Sequence, residues 1–169
     1  MEKRNPGLLQ LVFLLLWTIS LLVNMDHGSV PAATGAIMED FSLSKLQLGL
    51  LGSLVYVGLI LGSLLGGVAF SDWDSRIVLS LAALLTGVSL IVFPLSGSFV
   101  ALVYFSRLLD GFSQIFGVIY CPVWVDLFAP EKWKTLWLTF LQLSVPLGVI
   151  LGYAFTALLQ TFEISVSFT

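Results

Sequence analysis

The 169-residue chain is 58 % hydrophobic and 10 % charged, with a mean hydropathy of +1.04. A soluble domain carries about a quarter charged residues, so a water-soluble globule is excluded. Seven basic against ten acidic residues, a net charge of −3, leave no basic surface for nucleic acid.

Five stretches are long and apolar enough to cross a bilayer core, which takes about 20 helical residues. The first is expected over about 8–38, continuing past Asp26 and Pro31. The others follow over about 46–70, 77–95, 99–126 and 135–161. Each is expected to be α-helical, because backbone groups in lipid are satisfied within their own segment. The runs lack the in–out alternation of barrel strands. The expected fold is therefore all-α, a polytopic membrane bundle. Residues 1–36 also carry features of a signal peptide: Lys3 and Arg4 in front, Ala32, Ala33 and Ala36 behind. The apolar core is long for that role, and four further spans follow, which favours a retained first span.

The connectors are short and polar. In the first, 39–45, Ser42 or Ser44 is placed to cap the second span. The second is 71–76, the third is the tight turn 96–98, and the fourth is 129–134. Lys3, Arg4, Arg76, Lys132 and Lys134 would share one side and Lys45 the other. That asymmetry predicts a cytoplasmic N-terminus and an outside C-terminus. Trp73 and Trp133 then lie at the cytoplasmic interface.

Cys121 and His27 are single representatives of their types. They exclude an intrachain disulfide framework and speak against a metal centre. No nucleophile–base pattern or cofactor motif stands out, so neither an enzyme nor a cofactor is expected. The informative residues are charges inside apolar spans, which cost about 2.5–3.5 kcal/mol each and normally face a cavity or a partner. Asp26, Arg107 and Asp110 are of this kind. Arg107, Asp110, Gly111 and Gln114 fall at i, i+3, i+4 and i+7 and share a helix face. One reading makes this stripe the lining of a water-accessible pathway, with Asp26 and Arg107 coupled across two helices and Asp26 exchanging a proton. In the other, Arg107 pairs with Asp110 one turn away and holds the bundle together. His27 either titrates near neutrality or reaches toward the interface. Gly58, Gly62 and Gly66, then Gly148 and Gly152, recur every four residues as close-packing surfaces, and Pro146 is expected to kink the fifth span.

Several segments together resemble the major facilitator superfamily. The run 40–52 is similar to the start of that family's second helix. Asp72-Trp73-Asp74-Ser75-Arg76 resembles its signature loop, an Asp followed four residues later by an Arg. Trp73 and Ile77 stand where the family has basic residues, and Val68 where it has Gly. The resemblance implies a charge latch at Asp72 and Arg76, in reduced form. Within the superfamily, Asn24-Met25-Asp26-His27 and Ser106-Arg107-Leu108-Leu109-Asp110-Gly111 look like Spinster-type lipid transporters, with Gln114 replacing a Glu. Asp126-Leu127-Phe128, Pro146-Leu147-Gly148 and Gly152-Tyr153 also align.

The resemblance implies the amino-terminal bundle of a twelve-helix, alternating-access carrier. Asp26 and Arg107 would be its proton-coupling and substrate-facing pair, with Asp110 and Gln114 near them. The substrate would be an organic anion or a lysolipid-like molecule. Five spans fall short of a six-helix bundle, so a fragment or one piece of a split carrier is expected. Its partners would be the bilayer and the missing carboxy-terminal half. The alternative is a non-transporting subunit of a larger membrane complex.

Overall fold

The computed structural model describes residues 6–97 and 99–161. Lys3, Arg4 and the turn residue Ser98 lie outside these. Among the described residues the regular structure is entirely helical: α1 (Pro6–Ala32), α2 (Thr34–Asp40), α3 (Lys45–Asp72), α4 (Ser75–Leu95), α5 (Val100–Phe128) and α6 (Lys134–Thr161). A short 3-10 turn, Glu131–Trp133, leads into α6. Five helices are long and apolar enough to cross a membrane: α1, α3, α4, α5, and α6 together with its leading turn. Their outward surfaces carry exposed Leu, Ile, Val and Phe along their whole length. In water such surfaces would aggregate; in lipid they cost nothing.

The first expected span, 8–38, is two helices rather than one. Helix α1 passes through Pro31 and stops at Ala32, and α2 begins at Thr34. Proline lacks the N–H that a continuing helix uses, which weakens the backbone ladder there. Helix α2 ends in a Schellman motif. Ser42 takes the left-handed position at φ 51°, Ser42 N donates to Glu39 O at 3.1 Å, and Leu43 N donates to Met38 O at 2.9 Å. Leu43 follows as the buried apolar residue of that motif. Ser44 then caps α3 through a reciprocal box. Its hydroxyl accepts from Gln47 N at 3.3 Å, and its own N–H donates to Gln47 Oε1 at 2.8 Å. Asp74 caps α4 by accepting from Arg76 N at 2.8 Å. Gly97 supplies φ 50° to the turn before α5, a conformation that costs glycine little.

The chain forms two compact units, with α5 contributing to both. The first contains α1, residues 118–128 of α5 and α6 up to residue 158. Its core is Trp124, Val125, Ala129 and Leu141, with Phe13, Leu16, Trp137 and Leu138 packed around them. Small residues bring α1 and α6 close: a Cβ on Gly148 would overlap the Leu21 carbonyl, and one on Gly152 the Met25 carbonyl. Ser20 and Ser144 share a 2.7 Å hydroxyl contact, and Trp17 Nε1 donates to the Phe140 carbonyl at 2.8 Å. The second unit holds α2, α3, α4 and α5 as far as Gly117. There Gly58 and Gly62 lie against the α5 backbone at Leu108 and Phe112, and Gly111 lies against Val55. Phe41, Phe93, Phe70, Phe112 and Phe116 fill the spaces between these helices.

Candidate functional site

Within the second unit the polar stripe on α5 is buried. Arg107 is 3 % exposed, Asp110 1 % and Gln114 7 %. Gly111 is also buried, so all four residues of the i, i+3, i+4, i+7 set share an interior face. Helical periodicity alone places them there. Arg107 Nη1 lies 3.8 Å from Asp110 Oδ2, so the two form an ion pair one turn apart. Asp110 Oδ2 also accepts from Gln114 Nε2 at 2.8 Å. The guanidinium carbon of Arg107 lies 5.3 Å from the centroid of the Phe93 ring on α4, within cation–π range.

Helix α4 supplies a second set of polar groups that sequence reasoning did not single out. Ser89 Oγ donates to the Thr86 carbonyl at 2.8 Å and approaches Asp110 Oδ1 at 3.3 Å. Thr86 Oγ1 and Ser113 Oγ lie 2.7 Å apart. The available signal was helical phase: Val78, Ala82, Thr86, Ser89 and Phe93 occupy one buried face of α4. Two hydroxyls in that apolar register mark where α4 meets a polar neighbour. The result is a carboxylate and a guanidinium inside an apolar helix pair, ringed by hydroxyls and an amide.

Asp26 and His27 belong to the first unit, on α1, and both are half-buried. Nearby on the same helix Asn24 Nδ2 donates to the Ser20 carbonyl at 2.7 Å. At the α5–α6 connector, Lys134 joins Asp126 at 3.3 Å and Glu131 at 3.0 Å. Among the described residues no cluster of His, Cys, Asp and Glu suits a metal ion.

The family model for the Major Facilitator Superfamily matches residues 12–168, nearly the whole chain. The chain belongs to that superfamily. Several transporters are similar to it, three of them as follows. A probable polyol transporter 4 of Arabidopsis thaliana is 29 % identical over 135 residues, covering 79 % of this chain and 25 % of the relative. A probable metabolite transport protein CsbC of Bacillus subtilis is 27 % identical over 143 residues, covering 85 % and 31 %. A probable sphingolipid transporter spinster homolog 3 of Arabidopsis thaliana is 31 % identical over 136 residues, covering 77 % and 24 %. The chain thus spans about a quarter to a third of the length of these relatives.

Membership of the major facilitator family, with five apolar helices, makes this an integral multi-pass membrane protein. The loop that resembles the superfamily signature lies between α3 and α4. Asp72 ends α3 and accepts from Ser71 Oγ at 3.1 Å, Trp73 is the C-cap, and Asp74 caps α4. Asp72 and Arg76 are both exposed, and among the described residues no ion pair joins them.

Proposed function

We propose that the chain is the amino-terminal helical part of a proton-coupled secondary carrier whose substrate is an organic anion or a lysolipid-like molecule. The observation that carries this reading is Arg107, a guanidinium 3 % exposed within a membrane-spanning helix. Helices do not retain such a charge for packing alone, because an apolar residue of similar volume would serve at less cost. In this reading Arg107 receives the anionic group, and Asp26 on α1 takes and releases the proton. His27 belongs to the same proton-coupling set, and Gln114 and Asp110 adjoin the substrate position. Similarity to the spinster homolog supports the lipid-like end of the substrate range. Similarity to the polyol transporter makes a neutral polyol the competing substrate.

The remaining carrier helices, from the same or a second chain, complete the pathway. Asp72 and Arg76 act as a weakened latch that favours one orientation of the carrier. Uptake measured in cells expressing the full coding region tests the reading, with 3-phenylpropionate, lysophosphatidate and sorbitol as probes under an inward proton gradient. Uptake of one of the anions is expected to collapse in Arg107→Ala and to lose its gradient dependence in Asp26→Asn. Sorbitol uptake that ignores Arg107 would transfer the protein to the polyol class. No flux of any probe, with tight co-purification of an unrelated membrane complex, would favour a scaffold.

A further inference from the structure

Helices α4 and α5 meet in a register that sets two side chains of one against two of the other. Ser89 and Phe93 are one turn apart on the buried face of α4, and Arg107 and Asp110 are one turn apart on the buried face of α5. Ser89 Oγ approaches Asp110 Oδ1 at 3.3 Å, and the Arg107 guanidinium carbon lies over the Phe93 ring, 5.3 Å from its centroid. The two pairings run in opposite chain directions, so each helps to fix the other. A ring face is the negative pole of the aromatic quadrupole and attracts a cation, most strongly where water is excluded. Phe93 is 7 % exposed and Arg107 3 %, so that condition is met.

Phe93 is itself braced. Phe41 is buried just past the end of α2, and its ring centroid lies 6.0 Å from that of Phe93, with the planes tilted by 57°. The Schellman turn sets the Phe41 backbone: its N–H donates to the Ile37 carbonyl at 3.2 Å, and Ser42 follows at φ 51°. A line of contact therefore runs from the α2–α3 connector through two rings to the arginine.

We propose that Phe93 is a positioning residue whose ring face holds the Arg107 guanidinium in place for an organic anion, with Phe41 holding the ring. The ligand half of this inference rests on the organic-anion reading above. A carboxylate steadies a guanidinium by accepting its N–H groups, whereas a ring face does so through its quadrupole and contributes no lone pair. The ring can therefore act together with Asp110, whose Oδ2 is 3.8 Å from Arg107 Nη1, and with an arriving anion.

Fluorination separates the ring's charge from its shape, because each fluorine withdraws electrons from the ring face and hardly changes its size. The product of the full coding region, with phenylalanine or its mono-, di- and trifluoro analogues at position 93, is placed in lipid nanodiscs. Modification of Arg107 by phenylglyoxal is followed by peptide mass. The rate is expected to rise in the order of fluorination, about threefold or more at the trifluoro ring, because a guanidinium less firmly held meets the reagent more often. Phe41→Leu, which loosens the ring without changing it, should fall between the parent and the trifluoro ring. Protection by 3-phenylpropionate should need about threefold more of the anion at the trifluoro ring. A ring that only fills space would give equal rates along the series, and that result overturns the proposal even where Phe93→Leu reacts faster. If Phe41→Leu does not fold, the fluorinated series decides alone. A graded rise with no protection by 3-phenylpropionate at any ring sustains the positioning role and removes the organic-anion ligand.

Discussion

Gly111 stands between two polar neighbours of the site, and its importance is steric. A Cβ there would overlap the Val55 carbonyl of α3, so the helices would have to separate. Overpacking of this kind costs about 1–3 kcal/mol. Gly111→Ala is therefore expected to destabilise the protein by that amount, read as loss of helicity in a denaturing detergent titration. Gly117 on the same helix provides the control, since a Cβ there meets nothing within 4 Å. Gly117→Ala should be neutral or up to about 1 kcal/mol stabilising, from helix propensity alone. Equal behaviour of the two variants would mean that α3 and α5 do not approach as closely as the structure has them. At this scale the shared face of Arg107, Asp110, Gly111 and Gln114 was legible, because four residues at helical spacing leave no freedom in direction. Ser89 and Thr86 were not, because hydroxyls are common in membrane helices and satisfy themselves on the preceding turn. Their relation to Asp110 depends on how α4 lies against α5, which no local pattern contains.

The elements themselves were visible because twenty apolar residues in a row have one solution in lipid. What escaped was the division at Ala33. A hydrophobic count runs straight through it, and Pro31 within a membrane helix is usually tolerated. The Schellman motif on the far side of that division depends on Ser42 in a left-handed conformation, where glycine is the usual signal. Its neighbour Ser44 was recognisable from type and position, and the capping box shows how it works. Ser44→Ala is expected to cost about 1 kcal/mol, felt first as fraying at the start of α3. Hydrogen exchange at Leu46, Gln47 and Leu48 should quicken, while the amides near Val55 stay unchanged. Uniformly faster exchange along α3 would show that the cap governs the whole helix rather than its first turn.

For the whole molecule, the distribution of basic residues bears on which side each connector faces. Arg76, Lys132 and Lys134 lie in the second and fourth connectors, and Lys45 lies in the first. Lysine and arginine near span ends are retained in the cytoplasm, and acidic residues have little influence. The exposed Trp73 and Trp133 share connectors with Arg76, Lys132 and Lys134, whereas the exposed Glu39 lies in the first connector and the exposed Phe99 directly follows the third. Single cysteines at these four positions, in a Cys121→Ser background, are accordingly expected to divide two and two in intact cells. Trp73→Cys and Trp133→Cys should resist a membrane-impermeant maleimide until the cells are opened. Glu39→Cys and Phe99→Cys should react at once. Moving charge provides the stronger test, because orientation follows lysine and arginine rather than any one helix. Replacing Arg76, Lys132 and Lys134 with glutamine while adding lysines beside Lys45 should invert a fraction of the molecules, so that both pairs label in intact cells. A division that stays fixed under that exchange would mean that orientation is set by residues outside these connectors, and the cytoplasmic assignment of the N-terminus would lose its basis.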